Sequence, residues 1–472
     1  MTTSMRFHWA NRSIRIPAET LGMFAAALLI LGAVDATERE LEVEVQTTQP
    51  QAVTGRLLSF SLHDGAVVQS GVSKEQIPTE DMVRMTKCIT APQEFAGRKE
   101  PIGSIPDPDA WILTLTWGDV LTGRVIGARE VEDEGAEADE QKPGNKAARD
   151  TRLPAPDPHS TVIIETADLG EVSIPLENVA RMTKARADSG VHSESLEWMD
   201  HGRSGAERAA QDDDRVLLTN GDVLRGFISA INANGIMIDG TEPIGPIPLR
   251  LVIAVRLAHS VPAAALRPYV ILTLRDGARL TATGLGIGPI GPIETSRWDV
   301  KLRSGATVRV DADRVVSLDV IGGRWEWLCD PGTPDRHRPI SYEQTSMLGP
   351  GWEYLAGRNV LNGPILVAGD RHERGIGVHS RSKLVFELNG GYREFVTSFG
   401  MDDDSGPLAD VTVVLLVDGQ RRFEKTHVRR GTLHGPVRVD VSRAGRIELL
   451  VDYGDNGDLQ DRFDWVEPGL IR

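Results

Sequence analysis

The sequence predicts an all-β protein whose larger part is a series of small barrels of the SH3-like or Sm-like kind. Three observations point there. Glycine (48) and proline (27) are plentiful while aromatic residues make up 5% of the chain, a balance that suits short strands and turns rather than long helices. Pairs such as Asn220-Gly221 and Asp276-Gly277 sit between β-branched, alternating stretches, where Asn, Asp and Gly tolerate the positive φ of a hairpin turn. One degenerate pattern also returns four times between residues 37 and 323.

The length of 472 residues allows two to four domains. A formal charge of -16 repels a phosphate backbone and argues against nucleic acid as a partner. At the N-terminus Arg6, Arg12 and Arg15 precede an apolar run over 21–34, and Val34-Asp35-Ala36 then leads into polar sequence. That is the order of a secretory signal, with a run too short to span a bilayer comfortably. Residues 1–36 are therefore expected to be a signal peptide, with the mature chain starting near Thr37. An uncleaved anchor or a buried helix is the alternative. Cleavage would leave an exported protein, periplasmic, at the cell surface or secreted, with no stable transmembrane anchor.

The first copy of the repeat spans 37–90 and contains Val53-Thr54-Gly55-Arg56, Ile77-Pro78 and a turn at His63-Asp64-Gly65. The second, 110–184, has Leu113-Thr114-Leu115, a turn at Gly118-Asp119, Gly123 and Ile174-Pro175. The third, 215–260, is the cleanest, with Val216-Leu217-Leu218, the Asn220-Gly221 turn, Gly226 and Ile247-Pro248. The fourth, 268–323, diverges and puts Asp311 where the others have proline. Arg-Met-Thr-Lys occurs identically at 84–87 and 181–184. Each copy reads as an antiparallel unit of about five short strands, in which the glycine marks a sharp bend. The Ile-Pro step should fall at a strand end, because proline cannot donate to a ladder.

Residues 130–158, acidic and then rich in Pro and Ala, read as a disordered insertion in the second copy, and 185–214 as a charged linker with room for a short helix. The run 284–292, rich in Gly, Ile and Pro, reads as a loop. Cys88 and Cys329 are the only cysteines. They either pair, as an exported protein permits, or stand as two separate thiols.

Residues 340–472 follow a different plan. Gly351-Trp352-Glu353-Tyr354 leads into Arg374-Gly375-Ile376-Gly377-Val378-His379-Ser380, then Phe399-Gly400-Met401-Asp402-Asp403-Asp404 and Val417-Asp418-Gly419. The stretch closes on Asp455-Asn456-Gly457-Asp458-Leu459-Gln460-Asp461-Arg462-Phe463-Asp464-Trp465. In this order the segments resemble the NPCBM family of carbohydrate-binding modules. The resemblance covers a little over a quarter of the chain. It implies a galactose-binding-like β-sandwich and a glycan or polysaccharide as ligand. The family's closing motif usually has histidine where Arg462 stands.

No nucleophile elbow, phosphate loop or zinc-protease motif is present, and no enzymatic activity is expected. Trp352 and Tyr354 offer aromatic faces for stacking on a sugar ring, and His379 and Asp402 offer hydrogen bonds to hydroxyls. The competing assignments are core packing for the aromatic rings and His379, and turn chemistry for Asp402. Asp455, Asn456, Asp458 and Asp461 are dense in oxygen and would suit calcium, or else bond backbone amides within a turn. The primary expectation is an exported, non-catalytic glycan-binding protein. The alternatives are a structural or protein-interaction component of a cell-envelope assembly, and an accessory or catalytic part of a glycoside hydrolase.

Overall fold

Four times the chain runs through the same succession of five strands. The computed structural model describes residues 41–88, 107, 109–126, 161–185, 213–239, 244–258, 267–287, 297–329, 338–347 and 351–472. Among these the secondary structure is strand apart from short 3-10 turns, and no helix is long and apolar enough to cross a membrane. The all-β expectation is met. The insertion at 130–158, nearly all of the 185–214 linker and the signal segment lie outside the described residues.

The first strands of the units are Glu42–Thr47, Trp111–Leu115, Asp214–Leu218 and Tyr269–Leu274. The second are Val53–Ser61, Val120–Ile126, Val223–Asn232 and Arg279–Ile287. The third are Gly65–Ser70, Thr161–Thr166, Gly235–Asp239 and Arg297–Leu302, and the fourth Ser73–Ile77, Gly170–Pro175, Ile244–Ile247 and Thr307–Asp311. The fifth are Met82–Lys87, Val179–Lys184, Val252–Arg256 and Val315–Ile321. In every unit the first strand pairs antiparallel with the second and the fifth, the second with the third, and the third with the fourth.

Local chemistry accounts for much of this. In the second, third and fourth units the first hairpin closes in the same way. Gly118, Gly221 and Gly277 donate to the carbonyls of Leu115, Leu218 and Leu274, and those leucines donate back to Asp119, Asp222 and Ala278. The three glycines have φ of 93°, 88° and 85°, a region costly for any residue with a Cβ. His63-Asp64-Gly65 falls at a different place, the turn from second to third strand. Pro78, Pro175 and Pro248 each end a fourth strand and cap the 3-10 turn before the fifth, and Asp311 holds that place in the last unit. Gly55 and Gly123 lie in second strands where the neighbouring backbone comes close: an added Cβ would stand 2.3 Å from the Gln69 carbonyl oxygen and 2.1 Å from that of Glu165. The 284–292 run does not start as a loop, because Gly284 to Ile287 continue the second strand of the fourth unit; residues 288–292 lie outside the described ones.

The units join in pairs through their last strands. Met85 faces Leu318 across the seam between the first and fourth units, and Met182 faces Val255 between the second and third. The recurring Arg-Met-Thr-Lys is thus seam sequence, with both methionines buried. One hydrophobic core takes in side chains of all four units, among them Val43, Leu113, Val216 and Leu272. Asp119 adds a buried polar tie, accepting from the Thr281 amide at 2.7 Å and its hydroxyl at 2.6 Å.

The C-terminal part is a sandwich. One sheet orders Leu355–Ala356, Gly375–His379, Arg462–Ile471, Glu394–Met401 and His434–Asp440, and the other Ser341–Gln344, Ser382–Glu387, Arg446–Tyr453, Val411–Val417 and Gln420–Val428. Phe395, Phe399, Phe463 and Trp465 are buried between them. The first sheet also takes a strand from upstream: Trp325–Trp327 pairs with Gly469, Leu470 and Ile471. Trp325 and Trp327 pack with Val83, Tyr269, Ile271 and Ile321 of the repeats and with Val396 and Ile471 of the sandwich. Beside them a buried ion network crosses the joint. Asp319 meets Arg374 at 2.8 Å and Arg84 at 2.6 Å, and Arg84 reaches Glu467. Residues Leu41–Arg472 accordingly form one compact unit. Cys88 and Cys329 are separate thiols, the first half-buried at the end of a fifth strand and the second buried in the sandwich core.

Candidate carbohydrate-binding site

Connecting segments gather at one end of the sandwich around residues 455–461. Trp352 lies flat on His379, with ring centroids 4.9 Å apart and planes 5° from parallel. The imidazole is buried, and its Nδ1 lies 2.8 Å from the Ser380 carbonyl. Burial holds its pKa below the ordinary histidine value, which leaves a neutral ring at physiological pH. The Trp352 backbone is tied as well, its amide donating to Gln344 Oε1 at 2.9 Å and its carbonyl accepting from the Tyr342 hydroxyl at 2.8 Å. One face of the half-buried indole is therefore taken by His379. Tyr354 packs edge-on against Tyr342 at 5.1 Å, and both lean on the sandwich core.

Asp402 is placed differently from an exposed hydroxyl partner. It is fully buried, and its oxygens accept from Asn359 Nδ2 at 3.3 Å, the Leu366 amide at 3.2 Å and the Asp404 amide at 2.9 Å. Its work is to hold the loop from Asn359 to Leu366, an Asx-type use of a short carboxylate. Asp464 is equally buried, and burial together with the adjacent Asp402 carboxylate pushes its carboxyl well above the usual range.

The four oxygen-rich residues expected to converge are split. Asp458 is buried and accepts from the Ser346 hydroxyl at 2.9 Å and the Met347 amide at 2.6 Å. Asp461 is buried and accepts from the Ser380 hydroxyl at 2.6 Å and the Asp410 amide at 3.0 Å. Burial raises the Asp461 carboxyl to about 6. Asn456 donates to the Leu408 carbonyl at 3.0 Å. These three pin the 455–461 segment to its neighbours. Only Asp455 points elsewhere, into a group the sequence did not single out.

That group contains Asp410, His427 and Arg429. His427 Nδ1 lies 3.2 Å from Asp410 Oδ2 and 3.8 Å from Asp455 Oδ2. Arg429 Nη2 lies 3.3 Å and 4.0 Å from the same two oxygens. Asp410 immediately precedes strand Val411–Val417, and His427 lies in the neighbouring strand Gln420–Val428. The pairing register jumps there, Val411 facing Val428 but Val413 facing Lys425, so Thr426 and His427 share one partner. This bulge, with His427 at a φ of 55°, re-aims the imidazole toward Asp410. Burial opposes ionisation of Asp410, but hydrogen bonds from His427 and Arg429 outweigh it and hold the carboxyl below the usual range. Exposed Leu408 and Leu459 belong to the same segments. Alternation alone marks Gln420–Val428 as a strand; no residue in it announces the bulge.

Comparison with known proteins adds the following. Residues 341–471 match the NPCBM/NEW2 domain family. Among solved structures, a CBM51 from Clostridium perfringens GH95, in complex with methyl-galactose, aligns at 19% identity over 31% of this chain and 99% of that one, with a TM-score of 0.27. CBM51-2 with the INT domains of Clostridium perfringens ZmpB, in complex with GlcNAc, aligns at 23% identity over 40% of this chain and 38% of that one, also with a TM-score of 0.27. The present chain thus spans well under half of the ZmpB structure. No curated protein matches the chain.

Proposed function

We propose that this is an exported, non-catalytic glycan-binding protein that holds carbohydrate at the loop end of its C-terminal sandwich. The observation that carries the reading is the match of residues 341–471 to the NPCBM/NEW2 family. The geometry suits it. A sugar presents hydroxyls that need placed partners and C–H faces that need apolar ones. Asp410, His427, Arg429 and Asp455 supply acceptors and donors together, while Leu408 and Leu459 are 50% and 39% exposed on the adjoining segments. Trp352, braced from behind by His379, is the aromatic candidate, and it is tied to the polar group through the Ser380–Asp461–Asp410 hydrogen bonds. Export rests on the basic, apolar, small-residue order of residues 1–36.

A shallow site with a few net contacts implies affinities between millimolar and micromolar, roughly -4 to -8 kcal/mol. The test is a broad glycan array probed with the full mature chain, because the sandwich sheet includes Trp325–Trp327. Selective glycan binding, lost on competition with the free sugar, is the expected result. Binding to no glycan would replace this reading with the structural one, an envelope component whose sandwich is a scaffold.

A further inference from the structure

From the Asp410–His427–Asp455 geometry we infer a binding site for a divalent transition-metal ion of the zinc class. The three side chains bring one ligand atom each to within 4.8 Å of one another. A tetrahedral ion with ligands at 2.0–2.2 Å separates neighbouring ligand atoms by about 3.3–3.5 Å. The imidazole nitrogen already stands 3.2 Å and 3.8 Å from the two carboxylate oxygens, and the exposed Asp455 side chain is free to draw in and complete that spacing. A second observation points the same way. The Asp410 side chain is 1% exposed, yet its Oδ1 has no hydrogen-bond partner among the described residues. A buried carboxylate oxygen left in that state favours a cation.

The donor set decides the class of ion. Imidazole nitrogen with two carboxylates suits zinc and its borderline neighbours, whereas calcium takes oxygen ligands throughout. The ion would face solvent beside Asp455, whose side chain is 68% exposed, leaving a coordination position for water or a hydroxyl. Arg429 approaches the same carboxylate oxygens with a side chain 63% exposed, and its guanidinium is the resident cation that a metal must displace. The inference goes beyond the glycan reading and is tested without any glycan.

The experiment is equilibrium dialysis of the full mature chain against zinc ion, after treatment with chelator, with folding of every variant checked by circular dichroism. One ion per chain is expected. Asp455→Asn and His427→Asn should each weaken binding at least tenfold; asparagine is chosen at 427 because it tolerates a positive φ. Arg429→Gln, which removes the competing charge, should tighten binding several-fold. Absence of zinc binding by the wild-type chain would overturn the assignment. So would unchanged binding in both ligand variants, which would place the ion elsewhere, or loss of binding in Arg429→Gln.

Discussion

Replacing Asp319 by alanine tests whether the repeats and the sandwich are held as one body. Asp319 is the anion between two guanidiniums, with side-chain exposures of 4% for Asp319, 1% for Arg374 and 14% for Arg84. Arg84 keeps Glu467 as a second partner, but Arg374 does not have one: its Nε and Nη2 have no hydrogen-bond partner among the described residues, and its guanidinium lies over Trp327 at 4.7 Å. The substitution therefore strands a buried cation, which typically costs about 3–5 kcal/mol, a large part of the roughly 5–15 kcal/mol that holds a protein folded. Urea unfolding of the full chain, followed by tryptophan fluorescence and circular dichroism, is the assay. The two probes should coincide in the wild type and separate in the variant, since Trp325 and Trp327 sit at the joint. Replacing both partners, Asp319→Leu with Arg374→Met, should recover much of the loss, because no unpaired charge remains. The pH dependence has a fixed sign. Burial alone would raise the Asp319 carboxyl, but Arg374 and Arg84 together hold it far below the usual range. Its contribution is thus complete above the unfolded value of about 3.9 and is lost as the pH falls below it. The alanine variant should lack that part of the acid sensitivity. A loss of under about 1 kcal/mol at neutral pH would refute the reasoning.

Trp352→Ala should weaken glycan binding on the array while leaving the thermal midpoint close to that of the wild type; a collapse of the fold would instead make the indole a core residue. Asp464→Asn should stabilise the protein more at pH 8 than at pH 4 in thermal melts. Burial and the neighbouring Asp402 carboxylate raise this carboxyl in the folded state, so the wild type loses stability as the pH climbs from the unfolded value toward the raised folded one, and asparagine does not. Gly123→Ala should destabilise by about 1–3 kcal/mol in the same melts, because the new Cβ meets the Glu165 carbonyl. Protein recovered from the envelope or medium of the producing cell should begin near Thr37 by mass spectrometry, and an intact Met1 would count against cleavage.

What the sequence disclosed is what local chemistry dictates. The turns at Gly118, Gly221 and Gly277 and the Ile-Pro strand ends depend on a few neighbouring residues, and the three turns recur at the same place in the second, third and fourth units. In the first unit His63-Asp64-Gly65 is a turn as well, but it joins the second and third strands instead of the first and second. Longer-range choices left no such mark. Nothing in Val315–Ile321 tells that it pairs with Met82–Lys87 across more than two hundred residues of chain, and nothing in Asp402 distinguishes it from the more exposed acids beside it. At the site, Asp455 was visible because it stands in an acidic turn. Asp410 and His427 were not, because a bulge rather than a motif brings them together.

The strand Trp325–Trp327 lies beside the last residues of the chain, and Arg472 donates its amide to the Arg324 carbonyl. Only residues 322–324 separate the last repeat strand, Val315–Ile321, from Trp325–Trp327, so there is no slack between repeats and sandwich. A ligand tugging at the far loops loads that joint directly. Tension passes into the paired strands and the Asp319–Arg374 contact instead of stretching a tether. Such a part behaves as a fixed handle, so on the proposed function a glycan captured there would be held at a set angle to the repeats, and the repeats would move with it.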